Sequence, residues 1–149
     1  MTKRNEIVAA ARNWLRVPYK RVGRGRTGVD CIGLLCGVGK DIGYAPDIPS
    51  SYPPGAIDLL VEQLQLHLVK TDRYSVPQLL EADVVILLGQ LNTPQHAAIV
   101  GYYGNEPTMI HVLGRIGYVT EQRWDQFWSN RIVAVYEFPN LEPVQVPAL

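Results

Sequence analysis

The apolar residues of this chain change their spacing once, and that change limits the fold more than any other feature. Up to about Val69 they recur at helical intervals; from Val84 onward they fall in short runs that suit strands. Thr2 is placed to cap a first helix running to Leu15, with Ile7, Ala10, Ala11 and Trp14 as its buried stripe and Pro18 as its stop. A second apolar helix spans Cys31 to Ile42 and ends at Gly43, the residue best suited to a left-handed cap. The proline-containing stretch Ala45 to Gly55 reads as a loop. A third helix from Ala56 to Val69 carries Ile57, Leu60, Val61, Leu64 and Leu68 on one face.

Val84–Leu88 is a short buried strand, and His96–Tyr103 and Thr108–Leu113 flank a Gly104-Asn105 turn. Tyr118–Glu121 and Arg131–Phe138 complete the strands, and Trp124 and Trp128, one helical turn apart, predict a small helix over the sheet. Helices first and antiparallel strands second make an α+β fold. One domain is expected over residues 1–138. Residues 139–149, with their prolines, read as an extended arm.

Composition removes several function classes. Fourteen basic and fourteen acidic residues cancel, whereas general nucleic-acid binding calls for a basic surface. No stretch approaches the length of a membrane span. The N-terminus lacks the long apolar core of a signal peptide, so the chain is expected to stay in the compartment where it is made. Cys31 and Cys36, five residues apart on one helix, are spaced too far for an unstrained disulfide. With three scattered histidines they give no zinc-site spacing, and no metal or cofactor is expected.

Cys31 opens the second helix, behind Asp30. A thiol there faces unpaired N–H groups and the positive end of the helix dipole, both of which favour the reactive thiolate. Lys20, Arg21, Arg24 and Arg26, just upstream, are expected to add positive potential. A free cysteine is more often a small buried hydrophobe, and that is the reading for Cys36, among Leu34, Leu35 and Val38. The same loop spells Gly23-x-Gly25-x-x-Gly28. No buried strand precedes it and no βαβ unit follows, so it is not a dinucleotide site; its glycines let the chain turn tightly into the helix.

His96 begins an apolar strand whose alternation puts His96, Ala98 and Val100 on one face. If Gly104-Asn105 is a two-residue turn, Tyr103 pairs with Glu106 and Ala98 faces His111. Both histidines then share a face within reach of each other; a register slip of one would separate them. A thiol at a helix start and two neighbouring histidines can form a Cys-His-His arrangement. In it His96 takes the thiol proton and His111 fixes the imidazole tautomer. His67, on the third helix, has no such partner signal.

Taken in order, these pieces resemble the NlpC family of papain-like cysteine peptidases over about Glu6 to Phe138. Val17-Pro18-Tyr19 is similar to the family's PY segment, Asp30-Cys31-x-Gly33-Leu34 to its nucleophile motif and Ala82-Asp83-Val84-Val85 to its GDLV strand. His96-Ala97-Ala98-Ile99-Val100 resembles HVGIY, and Met109-Ile110-His111 resembles IHA. The resemblance implies a papain-like NlpC fold, with N-terminal helices packed on a central antiparallel sheet. It also implies thiolate attack on peptidoglycan stem peptides beside γ-linked D-glutamate. Cys31, His96 and His111 would be catalytic, with Tyr19 and Asp30 at the substrate and the Cys31 N–H as an oxyanion donor. The sequence departs from the family at Ile32, where serine is common, and at the arginine-rich loop. It looks most similar to the short single-domain members of phage tails and gene transfer agents. That likeness implies tail-tip partner proteins, a place in the virion tail and action at the bacterial wall. The alternative is a structural tail-tip protein with the same fold and little or no hydrolysis.

Overall fold

The computed structural model of the protein describes residues 1–44, 57–89 and 93–143. The expected loop Ala45–Gly55 and the side chains of Ile57 and Leu60 lie outside that set. The helices are α1 (Arg4–Arg12), α2 (Cys31–Asp41), α3 (Ile57–His67) and the one-turn α4 (Gln126–Ser129). The strands are β1 (Arg24–Gly25), β2 (Gly28–Val29), β3 (Val69–Lys70), β4 (Val84–Leu88), β5 (Pro94–Tyr103), β6 (Glu106–Val112), β7 (Val119–Arg123) and β8 (Ile132–Glu137). β1 and β2 form a small ribbon ahead of α2. The others form one six-stranded sheet in the order β3-β8-β4-β5-β6-β7, every pairing antiparallel. The α+β class expected from the change of period is the class observed.

α1 is shorter than its apolar stripe suggests at both ends. Thr2 is not its cap, because its N–H donates to the Asn140 carbonyl (3.0 Å) and its carbonyl accepts from the Glu142 N–H (2.9 Å). Lys3 is the cap instead, its N–H reaching the Glu6 carboxylate. At the other end Arg16 turns left-handed (φ 77°) and gives its N–H to Val119 on β7 (3.0 Å), so the chain leaves the helix well before Pro18. Trp14, still buried, packs where a Cβ on Gly37 of α2 would sit, and its indole N–H bonds Asp41 at 2.8 Å. Gly37 thus lets α1 and α2 close on each other.

β5 is buried on both faces from His96 to Gly101. One face carries Ala97 and Ile99, which join Val84, Ile86, Ile110, Val112 and the helices in the main core. The other carries Ala98 and Val100, which join Val85, Leu87, Met109 and Trp128 in a smaller core. The expected tryptophan helix is corrected: α4 holds Trp128, while Trp124 precedes it and donates its indole N–H to the Thr108 carbonyl. β3 begins at Val69, the expected last residue of the third helix, and pairs with the end of β8. The start of the expected C-terminal arm lies on the N-terminus, with Leu141 bridging Thr2 and packing on the main core; residues 144–149 lie outside the described set.

A buried charge network ties the layers together. The fully buried Asp83 carboxylate accepts from Arg4 Nη1 (3.0 Å), Arg73 Nε (3.1 Å) and the Leu80 N–H (2.8 Å). Glu137 on β8 takes a second bond from each guanidinium. Removing Asp83 leaves two part-buried guanidiniums sharing the single Glu137 carboxylate, an uncompensated positive charge that costs more than the intact network contributes. Asp83→Ala is therefore expected to lower unfolding stability by about 3–5 kcal/mol in urea titrations; a loss below about 1 kcal/mol would mean the two arginines rehydrate freely.

Candidate active site

Asp30 closes the entry to α2. One carboxylate oxygen accepts the Gly33 N–H at 2.8 Å, the other accepts the Val22 N–H at 3.0 Å, and Arg24 pairs with it at 3.2 Å. It is 8% exposed, so its carboxylate is turned to the helix start and the loop, whereas the resemblance implied a substrate contact. Gly33 is needed because a Cβ there would stand 2.0 Å from the Gly23 carbonyl oxygen; Gly23 in turn lies against Gly28. These contacts account for the glycine pattern mechanically. Ile32, where the family often has serine, is buried in the main core.

Cys31 is the first residue of α2 and a free, partly buried thiol. The N–H groups of Ile32 and Cys31 itself favour its thiolate, as a helix start should, and so does that of Ala97. Ala97 can take part because the β5–β6 pairing runs from Tyr103–Glu106 to Ile99–Ile110 and stops there. The Val100 N–H turns toward β4, bonding the Asp83 carbonyl. By alternation the Ala97 N–H points the other way, into the opening between β5 and β6. The sulfur therefore sits at the strand position next to His96.

The histidines meet as the register predicts. His96 Nε2 lies 2.8 Å from His111 Nδ1, and His111 Nε2 lies 2.8 Å from Gln122 Oε1. An amide oxygen can only accept, so His111 carries its proton on Nε2. Its bare Nδ1 then accepts from the His96 Nε2–H, and in the neutral ring His96 Nδ1 is left with a free lone pair. Gln122 sits on β7 opposite Met109; it lies one residue past the strand expected to end at Glu121, and no two-residue turn signal joins β6 to β7 to fix their pairing. Trp128 packs against both rings, tilted against His96 and edge-on to His111, with centroids 5.3 and 5.6 Å away. His67 lies on α3, where its carbonyl accepts from the Tyr44 hydroxyl.

His96 lines a cleft of about 570 Å³ together with Tyr19, Gln95, Arg115, Trp128 and Arg131. Tyr19 is 38% exposed. Burial raises its phenol pKa, and the negative charges of Asp30 and of an ionised Cys31 raise it further, which marks the thiol as its near neighbour. The structure thus joins His96 to His111 directly, Tyr19 to His96 through the cleft, and Cys31 to Ala97 and Tyr19. Among the described residues the thiol is hydrogen-bonded to neither ring, and catalytic contacts commonly tighten only with substrate in place.

The charge states differ from the expected thiolate. Burial, and next the Asp30 carboxylate, push the Cys31 thiol up to about 12, overcoming the three N–H groups. Arg24 and Arg26 do not counter this, since they pair with Asp30 and Asp41. Burial brings His96 down to about 3, with His111 and Arg115 adding to the effect. Burial also lowers His111, although its bond to Gln122 works the other way. Cys31 therefore rests as a neutral thiol and His96 as a neutral imidazole.

The sequence matches no family model and no curated protein. Solved structures do match. The NlpC/p60 domain of the peptidoglycan hydrolase SagA is 22% identical, with TM-score 0.63, over 92% of this chain and 100% of that one. An NlpC/P60 family protein from Bacillus cereus is 19% identical with TM-score 0.65, and a lipoprotein-like NLP/P60 family protein from Staphylococcus aureus is 16% identical with TM-score 0.62. Each covers 91% of this chain; this chain spans 40% and 41% of their lengths, respectively. The fold is the NlpC/P60 fold.

Two outcomes follow from the geometry. In a Cys36→Ser background, alkylation of Cys31 by iodoacetamide should quicken about tenfold per pH unit from 7 to 10 without levelling, because a raised thiol pKa keeps the thiolate a minor species there. A plateau below pH 8 would show a preformed thiolate. Gln122→Met should release the His111 tautomer: ring-nitrogen NMR should then show His111 protonated at Nδ1 in part of the population, while the wild type keeps it at Nε2.

Proposed function

We propose that the protein is a cysteine peptidase that cleaves peptidoglycan stem peptides, with Cys31 as nucleophile, His96 as base and His111 as its orienter. The observation that carries this reading is the Gln122–His111–His96 chain, which leaves a bare nitrogen on His96 beside an open cleft and next to the thiol's strand position. The NlpC/P60 fold supports it, one solved neighbour being a domain of a peptidoglycan hydrolase.

The chemistry starts from the neutral pair. As the Cys31 sulfur attacks the peptide carbonyl, its proton passes to His96 Nδ1, and His111 stabilises the imidazolium through the His96 Nε2–H. The developing oxyanion takes the Cys31 backbone N–H at the start of α2. Collapse expels the amine, which takes the proton from His96, and leaves a thioester. Water, deprotonated by His96, then releases the acid and restores the thiol. Trp128 shields the histidine pair from solvent, which strengthens their hydrogen bond.

The bond beside γ-linked D-glutamate, tail-tip partner proteins and a place in a phage-like virion tail also belong to the proposal. They rest on the resemblance to short single-domain members, with the helix-start cysteine and the two strand histidines as its anchors.

Incubation with purified muropeptides, followed by mass analysis, tests the reading. Cys31→Ala and His96→Ala should each lower the rate at least about a thousandfold with the fold retained. His111→Asn should cost less, about 10- to 100-fold, since an amide can still accept the His96 proton bond. Unaltered hydrolysis in Cys31→Ala would remove the nucleophile.

A further inference from the structure

The cleft beside His96 concentrates positive charge that the balanced composition hides. Arg4, Arg12, Arg24, Arg26, Arg73 and Arg123 each pair with an Asp or Glu carboxylate. Arg115 and Arg131 line the cleft, and among the described residues neither has a carboxylate partner. The described lining also contains no aspartate or glutamate. Arg131 is fixed in place: its guanidinium carbon lies 3.6 Å from the Phe127 ring centroid, and Nη1 donates to the Phe127 carbonyl at 2.8 Å. A stacked, anchored guanidinium with N–H groups to spare is built for a planar anion rather than for solvent.

We propose that Arg115 and Arg131 form a subsite for a free carboxylate that the peptide substrate carries close to the scissile bond. The proposal rests on the hydrolytic reading above and deepens it. A carboxylate held beside Trp128 and Phe127 would meet two guanidiniums at once, and charge-assisted bonds to a forked donor are stronger than neutral ones. Binding there also acts on the base. Arg115 is one of the charges holding both histidines neutral. A substrate carboxylate that offsets it makes His96 a stronger proton acceptor once the cleft is filled.

The carboxylate could be the α-carboxylate of a γ-linked glutamate or the C-terminus of the stem, and the test separates them. Synthetic γ-D-glutamyl-lysine peptides are prepared with the glutamate α-carboxylate free or amidated and, separately, with the C-terminus free or amidated. Wild-type KM should rise about 10- to 100-fold on amidation of one of the two positions, the span expected for hydrogen bonds to a charged group. Arg115→Gln and Arg131→Gln should raise KM for that acid by about tenfold and leave KM for its amide within about twofold. Arg131→Lys, which keeps the charge but loses the fork, should lie between. Equal loss on acid and amide, or indifference to both amidations, overturns the subsite. Binding of the same peptides to Cys31→Ala, read by calorimetry, keeps the two readings apart. An acid preference that vanishes in Arg131→Gln supports the subsite even where the wild type cleaves nothing. Hydrolysis without acid preference removes the subsite and leaves the peptidase reading intact.

Discussion

The carboxylate of Asp30 holds the Gly33 N–H, the Val22 N–H and Arg24 together, and the position of the thiol follows from that. The bond to Gly33 satisfies a donor that the first turn of α2 cannot use internally. The bond to Val22 anchors a β-branched residue at φ 61°, a conformation costing on the order of 1–3 kcal/mol that persists only where its surroundings impose it. With Val22 so turned, the Gly23 carbonyl comes down on Gly33, where no side chain would fit. Helix start, loop and glycine are one device, and Cys31 stands between Asp30 and Gly33 within it.

The same charge carries a chemical cost. A carboxylate one residue before the thiol opposes its ionisation, and burial opposes it more strongly. A site built this way does not store a thiolate. Under the proposed peptidase reading, a base has to accept the proton as attack occurs, and such a base must present a lone pair rather than an N–H. The Gln122–His111–His96 chain supplies that by hydrogen-bond direction alone, since the only obligate acceptor among its partners is the amide oxygen at its far end. The low basicity that burial gives His96 is matched by the weak acidity that burial gives Cys31, so both stay neutral across the physiological range.

What could be read from the sequence depended on how local its physical cause is. The Gly104-Asn105 turn fixes its own hairpin, so the Tyr103–Glu106 register and the shared face of His96 and His111 were legible and are observed. The Gly43 cap, at φ 85°, was legible for the same reason. The ends of α1 were not, because Thr2 and Arg16 are diverted by partners more than a hundred residues away, Asn140 and Val119. Gln122 escaped notice because its meeting with His111 requires the β6–β7 pairing, which a longer and less regular connection sets. The thiol's charge state was misread because helix-start position is visible in sequence, whereas burial and the diversion of Arg24 and Arg26 into ion pairs are tertiary facts.

Strand β5 joins these parts because it serves both faces of the sheet and then leaves one neighbour. Its odd-numbered residues Ala97 and Ile99 support the face on which α2 packs; its even-numbered residues carry His96 to the opposite face, with Trp128. A thiol on one side of a sheet and an imidazole on the other could not approach each other through a continuous ladder. The β5–β6 pairing ends at Ile99–Ile110, and beyond it the Ala97 N–H turns from strand pairing to the Cys31 sulfur. The opening in the sheet is thus what brings a helix-borne thiol up to the strand that carries the imidazole. Its position is fixed by the same two-residue turn that aligns the histidines: a slip of one residue would turn His96 toward the helices and leave the bare nitrogen in the core.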